Sequence, residues 1–158
     1  MPFILDKFKT YNEFANASVE DILGADKIKE GLQLSVNNFN SGIYINEGGK
    51  YTFQALPFQA QAFPVMGIVT EDVNSDGKMD IVLAGNIYNM EIETPRLDSG
   101  DGLILLGDGK LGYTPLKAVD TGFKASKDVK DILALDTAGG KKALLIANNN
   151  GPLEIFKF

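Results

Sequence analysis

The chain has 158 residues and a net charge of −6, and it contains no His, no Cys and no Trp. Those absences exclude Ser-His-Asp and Cys-His nucleophile systems, histidine zinc sites and thiolate metal sites, and the negative charge disfavours nucleic acid and anionic membranes as partners. At 44% hydrophobic and 23% charged, with 17 glycines and no apolar run near the ~20 residues of a membrane span, the composition predicts one globular chain rich in turns and no membrane insertion.

Residues 1–31 read as a short helical segment, distinct from 32–158. Thr10 with Glu13 forms a capping-box pattern ahead of Tyr11 and Phe14, and Ser18 with Asp21 repeats it more weakly. Ile22, Leu23 and Ile28 supply an apolar face broken by Gly24 and Gly31, which suits a packing element over a sheet edge or end. The opening Met-Pro-Phe-Ile-Leu-Asp-Lys is too short and too soon charged for a signal peptide, so an export signal, if the protein uses one, is expected upstream of this sequence.

From Leu32 onward the pattern is strands and turns. Candidate strands are Leu32–Val36, Gly42–Ile45, Tyr51–Leu56, Val65–Glu71, Ile81–Ala84, Leu103–Leu106, Tyr113–Leu116, Asp131–Leu135, Ala143–Ala147 and Leu153–Phe156. Glu47-Gly-Gly-Lys and Gly107-Asp-Gly-Lys are hairpin signals, and Asn148-Asn-Asn-Gly reads as a turn. The order strand, loop, strand, Asn-rich turn, strand, Gly hairpin, strand recurs, as in propeller blades.

Residues 72–80, Asp-Val-Asn-Ser-Asp-Gly-Lys-Met-Asp, are the most informative segment. Oxygen side chains recur at every second position in Asp72, Asn74, Asp76 and Asp80, and Gly77 stands where a tight loop turns sharply. Ca2+ takes six to eight oxygen ligands, which such a loop supplies. Lys78 fills the one odd position, where a backbone carbonyl serves as ligand, so its side chain is expected to point away. The spacing follows the first nine positions of an EF-hand loop, but position twelve is Leu83 and both flanks are strand-like. The segment is therefore expected to be a calcium loop between two strands rather than an acidic turn. A shorter counterpart, Asp136-Thr-Ala-Gly-Gly-Lys-Lys, lacks the later carboxylates and is expected to hold no metal.

The connection 86–101 is long for a hairpin and carries Tyr88, Glu91, Glu93, Arg96, Asp98 and Asp101. Long loops in compact domains are often functional, and this mixture of acids and aromatics suits a sugar or a cationic protein segment. The structural alternative is a loop in which Arg96 pairs with its own carboxylates. Lys124, Lys127 and Lys130 read as a small solvated basic spot. Paired Asp and Glu residues also admit a glycosidase or lyase, but no spacing singles out such a pair, and the reading is of a non-catalytic protein.

The motif Asp-x-Asn-x-Asp-Gly-x-x-Asp between strands, followed by a Gly-rich hairpin with Phe or Tyr, resembles the FG-GAP/VCBS repeat. The hairpins Ile43-Tyr-Ile-Asn-Glu-Gly-Gly-Lys-Tyr-Thr-Phe and Leu103-Ile-Leu-Leu-Gly-Asp-Gly-Lys-Leu-Gly-Tyr are similar to that repeat's outer hairpin. The whole chain resembles the C-terminal part of bacterial VCBS-repeat proteins, including the connection with Asn86, Tyr88, Glu91, Glu93, Arg96, Asp98 and Gly102. The resemblance implies a mainly β fold, a partial β-propeller of two to three four-stranded antiparallel blades after a short helical segment. It places calcium ligands on Asp72, Asn74, Asp76, Asp80 and the Lys78 backbone. It implies an integrin α-like binding or scaffold module at the cell surface, secreted or periplasmic, with a protein or glycan partner. Ten candidate strands fall short of the ~4 blades of a closed propeller, and open sheet edges invite self-association.

Overall fold

The computed structural model describes residues 2–138 and 140–158. The chain divides into two compact units, one ending at Phe39 and the other spanning Asn40–Phe158.

The first unit is four short helices, α1 (Pro2–Lys7), α2 (Tyr11–Ala15), α3 (Val19–Leu23) and α4 (Ala25–Glu30). Both capping boxes form. The Thr10 hydroxyl accepts from Glu13 N at 3.2 Å while the Glu13 carboxylate accepts from Thr10 N at 3.0 Å, and Ser18 with Asp21 does the same. Each box satisfies amides that a helix start leaves without an intrahelical partner. Gly24 then takes φ +87°, a conformation that L side chains rarely adopt, and divides α3 from α4. Phe8 and Phe14 meet edge to face with ring centroids 5.7 Å apart.

The second unit is mainly β, with nine strands in three small antiparallel sheets among the described residues. The first pairs β1 (Gly42–Glu47) with β2 (Lys50–Ala55). The second is a four-stranded meander of β3 (Gly67–Glu71), β4 (Asp80–Ala84), β5 (Leu103–Gly107) and β6 (Tyr113–Pro115). The third is β7 (Val129–Asp136), β8 (Lys142–Asn148) and β9 (Glu154–Lys157). Gly48 and Gly49, with φ +63° and +95°, make the two-residue turn of the β1–β2 hairpin, the geometry that a right-twisted strand pair favours.

Nine of the ten expected strands form, and Leu32–Val36 does not. Its alternation is that of a strand, but residues 32–41 hold no regular structure, and Leu32, Leu34 and Val36 are exposed. A strand needs a hydrogen-bonded ladder and a face to bury, and alternation alone supplies neither.

The sheets stack in chain order with the four-stranded sheet in the middle. Alternate residues of a strand face opposite ways, so β4 sends Val82 and Ala84 one way and Ile81 and Leu83 the other. Val69, Val82, Ala84 and Ile104 pack against Ile132, Leu144 and Ile146 of the three-stranded sheet. Ile81, Leu83, Leu103 and Leu105 pack with Leu56 and Ala60, and Ile43 of β1 lies against them. A strand covered on both faces reads as an unbroken apolar run, as Ile81-Val-Leu-Ala does. Gly67 lets β3 approach β7 closely: a Cβ there would lie 2.7 Å from the backbone nitrogen of Ile132.

Candidate functional site

The segment 72–80 joins β3 to β4, and its ends are held by the Glu71–Asp80 register pair. Inside the loop the side chains bind the loop's own amides. Asp72 accepts from Asp76 N through Oδ1 at 3.0 Å and from Gly77 N through Oδ2 at 2.8 Å. Asn74 Oδ1 accepts from the same Asp76 N at 3.0 Å. Asp76 Oδ1 accepts from Lys78 N at 2.9 Å. That last bond, with smaller help from the Lys78 ammonium and Asn74, outweighs desolvation and holds the Asp76 carboxyl below the usual carboxylate range. Ser75 and Gly77 turn the chain at positive φ, 61° and 82°.

The residues present fit an oxygen-coordinated divalent ion in kind. Asp72, Asn74 and Asp76 bring five side-chain oxygens to one short loop, and an oxygen that accepts one N–H keeps a second lone pair. Among the described residues, no three carboxylates converge on one point. Two observations bear on the site residues that the sequence picked out. The Lys78 side chain does not point away, because its Nζ sits 3.2 Å from Asp76 Oδ2. Asp80 stands apart from the other three: fully buried at the root of the loop, it accepts from Val73 N at 3.0 Å and from Gly107 N at 2.8 Å. It thereby ties the loop to the end of β5.

The counterpart turn after β7 is closed by its backbone. Thr137 donates to the Lys141 carbonyl through its amide and its hydroxyl, both at 2.7 Å; Gly139 of this segment lies outside the described residues. Lys142 pairs with Glu71, which raises its own pKa. A groove of about 790 Å³ runs between this turn and the 72–80 loop, lined by Glu71, Asp72, Lys141, Lys142 and Phe158 among others.

The 86–101 connection is anchored at both ends by Asn86. This side chain is fully buried, donates to the carbonyls of Gly100 (2.8 Å) and Lys127 (3.0 Å), and accepts from Gly100 N at 2.9 Å. Ile87 and Leu97 bridge just beyond it. Tyr88 donates from its hydroxyl to the Ser126 carbonyl at 3.0 Å. The Arg96 guanidinium lies over the Tyr88 ring, with Cζ 4.9 Å from the centroid. Arg96 makes no ion pair among the described residues, so the expected pairing with its own loop's carboxylates is replaced by stacking. Glu91, Glu93 and Asp98 are exposed and do not join Tyr88 and Arg96; Glu91 accepts from the Thr94 hydroxyl at 2.8 Å.

Tyr88 and Arg96 instead meet residues that the sequence assigned to a basic spot and a turn, together with Asp128, which no sequence pattern marked. Together with Lys127, Asp128, Asn149 and Asn150 they line a groove of about 410 Å³. Asp128 is nearly fully buried and binds Lys130 Nζ at 2.6 Å, Asn149 Nδ2 at 2.9 Å and Tyr88 N at 3.3 Å. Lys127 pairs with Glu154 at 2.7 Å, and Lys130 also donates to the Asn86 carbonyl at 2.9 Å. The three lysines are therefore not a uniformly solvated basic spot, since two of them pin segments together. Burial pushes the Asp128 carboxyl up, while the bonds from Lys130, Asn149 and the Tyr88 amide outweigh it and hold the pKa below the usual range. A depressed carboxyl stabilises the fold above the ordinary carboxylate range, and that contribution is lost as pH falls through the folded pKa. Urea midpoints measured from pH 7 down to about 3 are expected to fall less steeply for Asp128→Asn than for the native chain; parallel profiles would show that Asp128 does not set the acid limb.

No helix among the described residues is long and apolar enough to cross a membrane. Compared with protein-family models, with curated proteins and with solved structures, the chain matches none.

Proposed function

We propose that this chain is a calcium-binding, non-catalytic binding or scaffold module, a partial β-propeller of two to three blades acting at the cell surface or in secreted form. The observation that carries the reading is the 72–80 loop, where Asp72, Asn74 and Asp76 gather oxygen acceptors around the Asp76 and Gly77 amides. Asp72, Asn74, Asp76 and the Lys78 carbonyl would hold the ion, with Asp80 beneath them. Bound calcium would supply the positive charge that the clustered carboxylates otherwise draw from Lys78 and the backbone. Face-on stacking of three antiparallel sheets in chain order supports the blade reading.

The ligand surface in this reading is the groove beside Tyr88 and Arg96. Arg96 is braced on an aromatic ring with its planar fork free of carboxylates, an arrangement suited to an acidic group on a protein or glycan. Every carboxyl in the described chain whose titration is displaced lies below its ordinary range, namely Asp21, Asp76, Asp108, Asp128 and Glu154. General acid catalysis by a carboxyl needs the opposite displacement, which favours binding over a glycosidase or lyase role.

Thermal melting in calcium and in chelator tests the proposal. Extracellular calcium modules bind at about 10⁻⁴–10⁻³ M. Calcium at ten times Kd adds about 1.4 kcal/mol, which raises Tm by roughly 3–6 °C in a chain of this size. Asp76→Ala is expected to abolish that rise. A native Tm that is the same in calcium and chelator sinks the proposal.

A further inference from the structure

The four-stranded and three-stranded sheets open with matching ladders. Val69 pairs with Val82 and Val82 with Ile104, while Leu133 pairs with Leu145 and Leu145 with Ile155. Two residues further along, Ala84 and Ala147 hold the same place in the fourth and eighth strands. Position for position, one apolar row therefore occurs twice, but its surroundings differ. In the middle sheet the row is covered by β7–β9: Val82 and Ala84 are 0% exposed and Ile104 is 5%. In the last sheet it lies on the face opposite Ile132, Leu144 and Ile146, and Leu133 and Ile155 are 55% and 63% exposed, with Leu135 at 38%.

Isolated exposed leucines need no explanation, but a cross-strand apolar row continued by Leu135 is a patch. The fold itself shows what covers such a row, namely the apolar face of another small antiparallel sheet. The charges around the patch select the copy. Asp131 sits on β7 beside Ala147, and Lys157 sits on β9 beside Ala143, at opposite corners of the same face. A two-fold axis lying in the interface, at right angles to that diagonal, brings each Asp131 against the partner's Lys157.

We propose that two copies of this chain pair through the outer faces of their β7–β9 sheets, with Leu133, Leu145 and Ile155 at the centre and Asp131–Lys157 pairs at two corners. Such an isologous contact closes after two copies. It uses sheet faces rather than edges and involves no calcium ligand, so it stands or falls independently of the calcium reading. Three strands of 8, 7 and 4 residues make a face smaller than the ~800 Å² per partner of a standard interface, so association is expected in the micromolar range.

Light scattering from about 10 to 500 µM, in calcium and in chelator, tests it at concentrations that span such an affinity. The expected result is a concentration-dependent rise to twice the 17.1 kDa chain mass in both solutions. Ile155→Glu and Leu133→Glu alter positions already exposed in the single chain, so they are expected to abolish the dimer while circular dichroism and melting of the dilute protein are unchanged. Asp131→Lys is expected to weaken pairing about tenfold, and adding Lys157→Asp to restore it, since close charge pairs couple by more than 1 kcal/mol. A native chain that stays monomeric throughout, or a dimer that survives Ile155→Glu, overturns the proposal. Failure of the double charge swap to restore pairing overturns the two-fold arrangement.

Discussion

Asp80→Ala is expected to destabilise the second unit by about 3 kcal/mol, with or without calcium, because it removes a charged acceptor from the buried Gly107 amide and the half-buried Val73 amide. Asp80 is the most enclosed carboxylate in the described chain, with no exposed surface. Its two oxygens accept from Val73 N and Gly107 N, one in the loop and the other at the end of β5. Alanine leaves both donors without the carboxylate that they bind, and a buried donor without a partner costs about 1–3 kcal/mol. Asn at this position keeps the shape but turns an NH2 toward one of the two donors, so it is expected to recover less than half of the loss. At this chain length the alanine loss corresponds to a fall in Tm of roughly 6–12 °C. Urea denaturation in chelator isolates this structural role, because Asp76→Ala should change stability far less under the same conditions. A loss under about 1 kcal/mol for Asp80→Ala in chelator would return Asp80 to the ligand set alone.

Asn86→Leu is expected to cost about 3 kcal/mol and to loosen the whole 86–101 connection, since it strips the side-chain partner from the buried amide and carbonyl of Gly100 and removes a bond to the Lys127 carbonyl. Leucine keeps the branched outline of asparagine but is larger, so at this fully buried position overpacking adds to the loss of the polar bonds. The Gly100 amide and carbonyl lose their partner at once, and the Lys127 carbonyl keeps only the Val129 amide. The groove beside Tyr88 and Arg96 depends on the same anchor, because Tyr88 follows two residues later and reaches Ser126. Amide hydrogen exchange should therefore show faster exchange at Ile87, Leu97 and Gly100 in the variant, while β7 and β8 keep their protection. Unchanged exchange along the connection would mean that the Ile87–Leu97 bridge, and not Asn86, holds it.

Local chemistry was legible throughout. Capping boxes act over three residues and hairpin glycines over two, so Thr10–Glu13, Ser18–Asp21 and Gly48–Gly49 appear in the sequence as they appear in the structure. Strands bounded by such turns were legible for the same reason. Leu32–Val36 was misleading because alternation states only that a segment has two unlike faces; whether a ladder partner and a core await it is a matter for the rest of the chain.

The sequence by itself determined a mainly β chain with short strands, tight turns, a helical start and one oxygen-rich loop, because each of these rests on neighbours within a few residues. Only the tertiary structure decided that Asp80 is a buried staple to a residue 27 positions away, that Asn86 ties the long connection to a segment about 40 positions away, and that Asp128 is buried beside Tyr88. It also decided that Arg96 lies on a ring rather than on a carboxylate, and that one of two equivalent apolar rows is left uncovered. Burial and long-range hydrogen bonding depend on which distant surfaces meet. An aspartate in a turn, a buried aspartate and a metal ligand are the same letter until the packing around them is known.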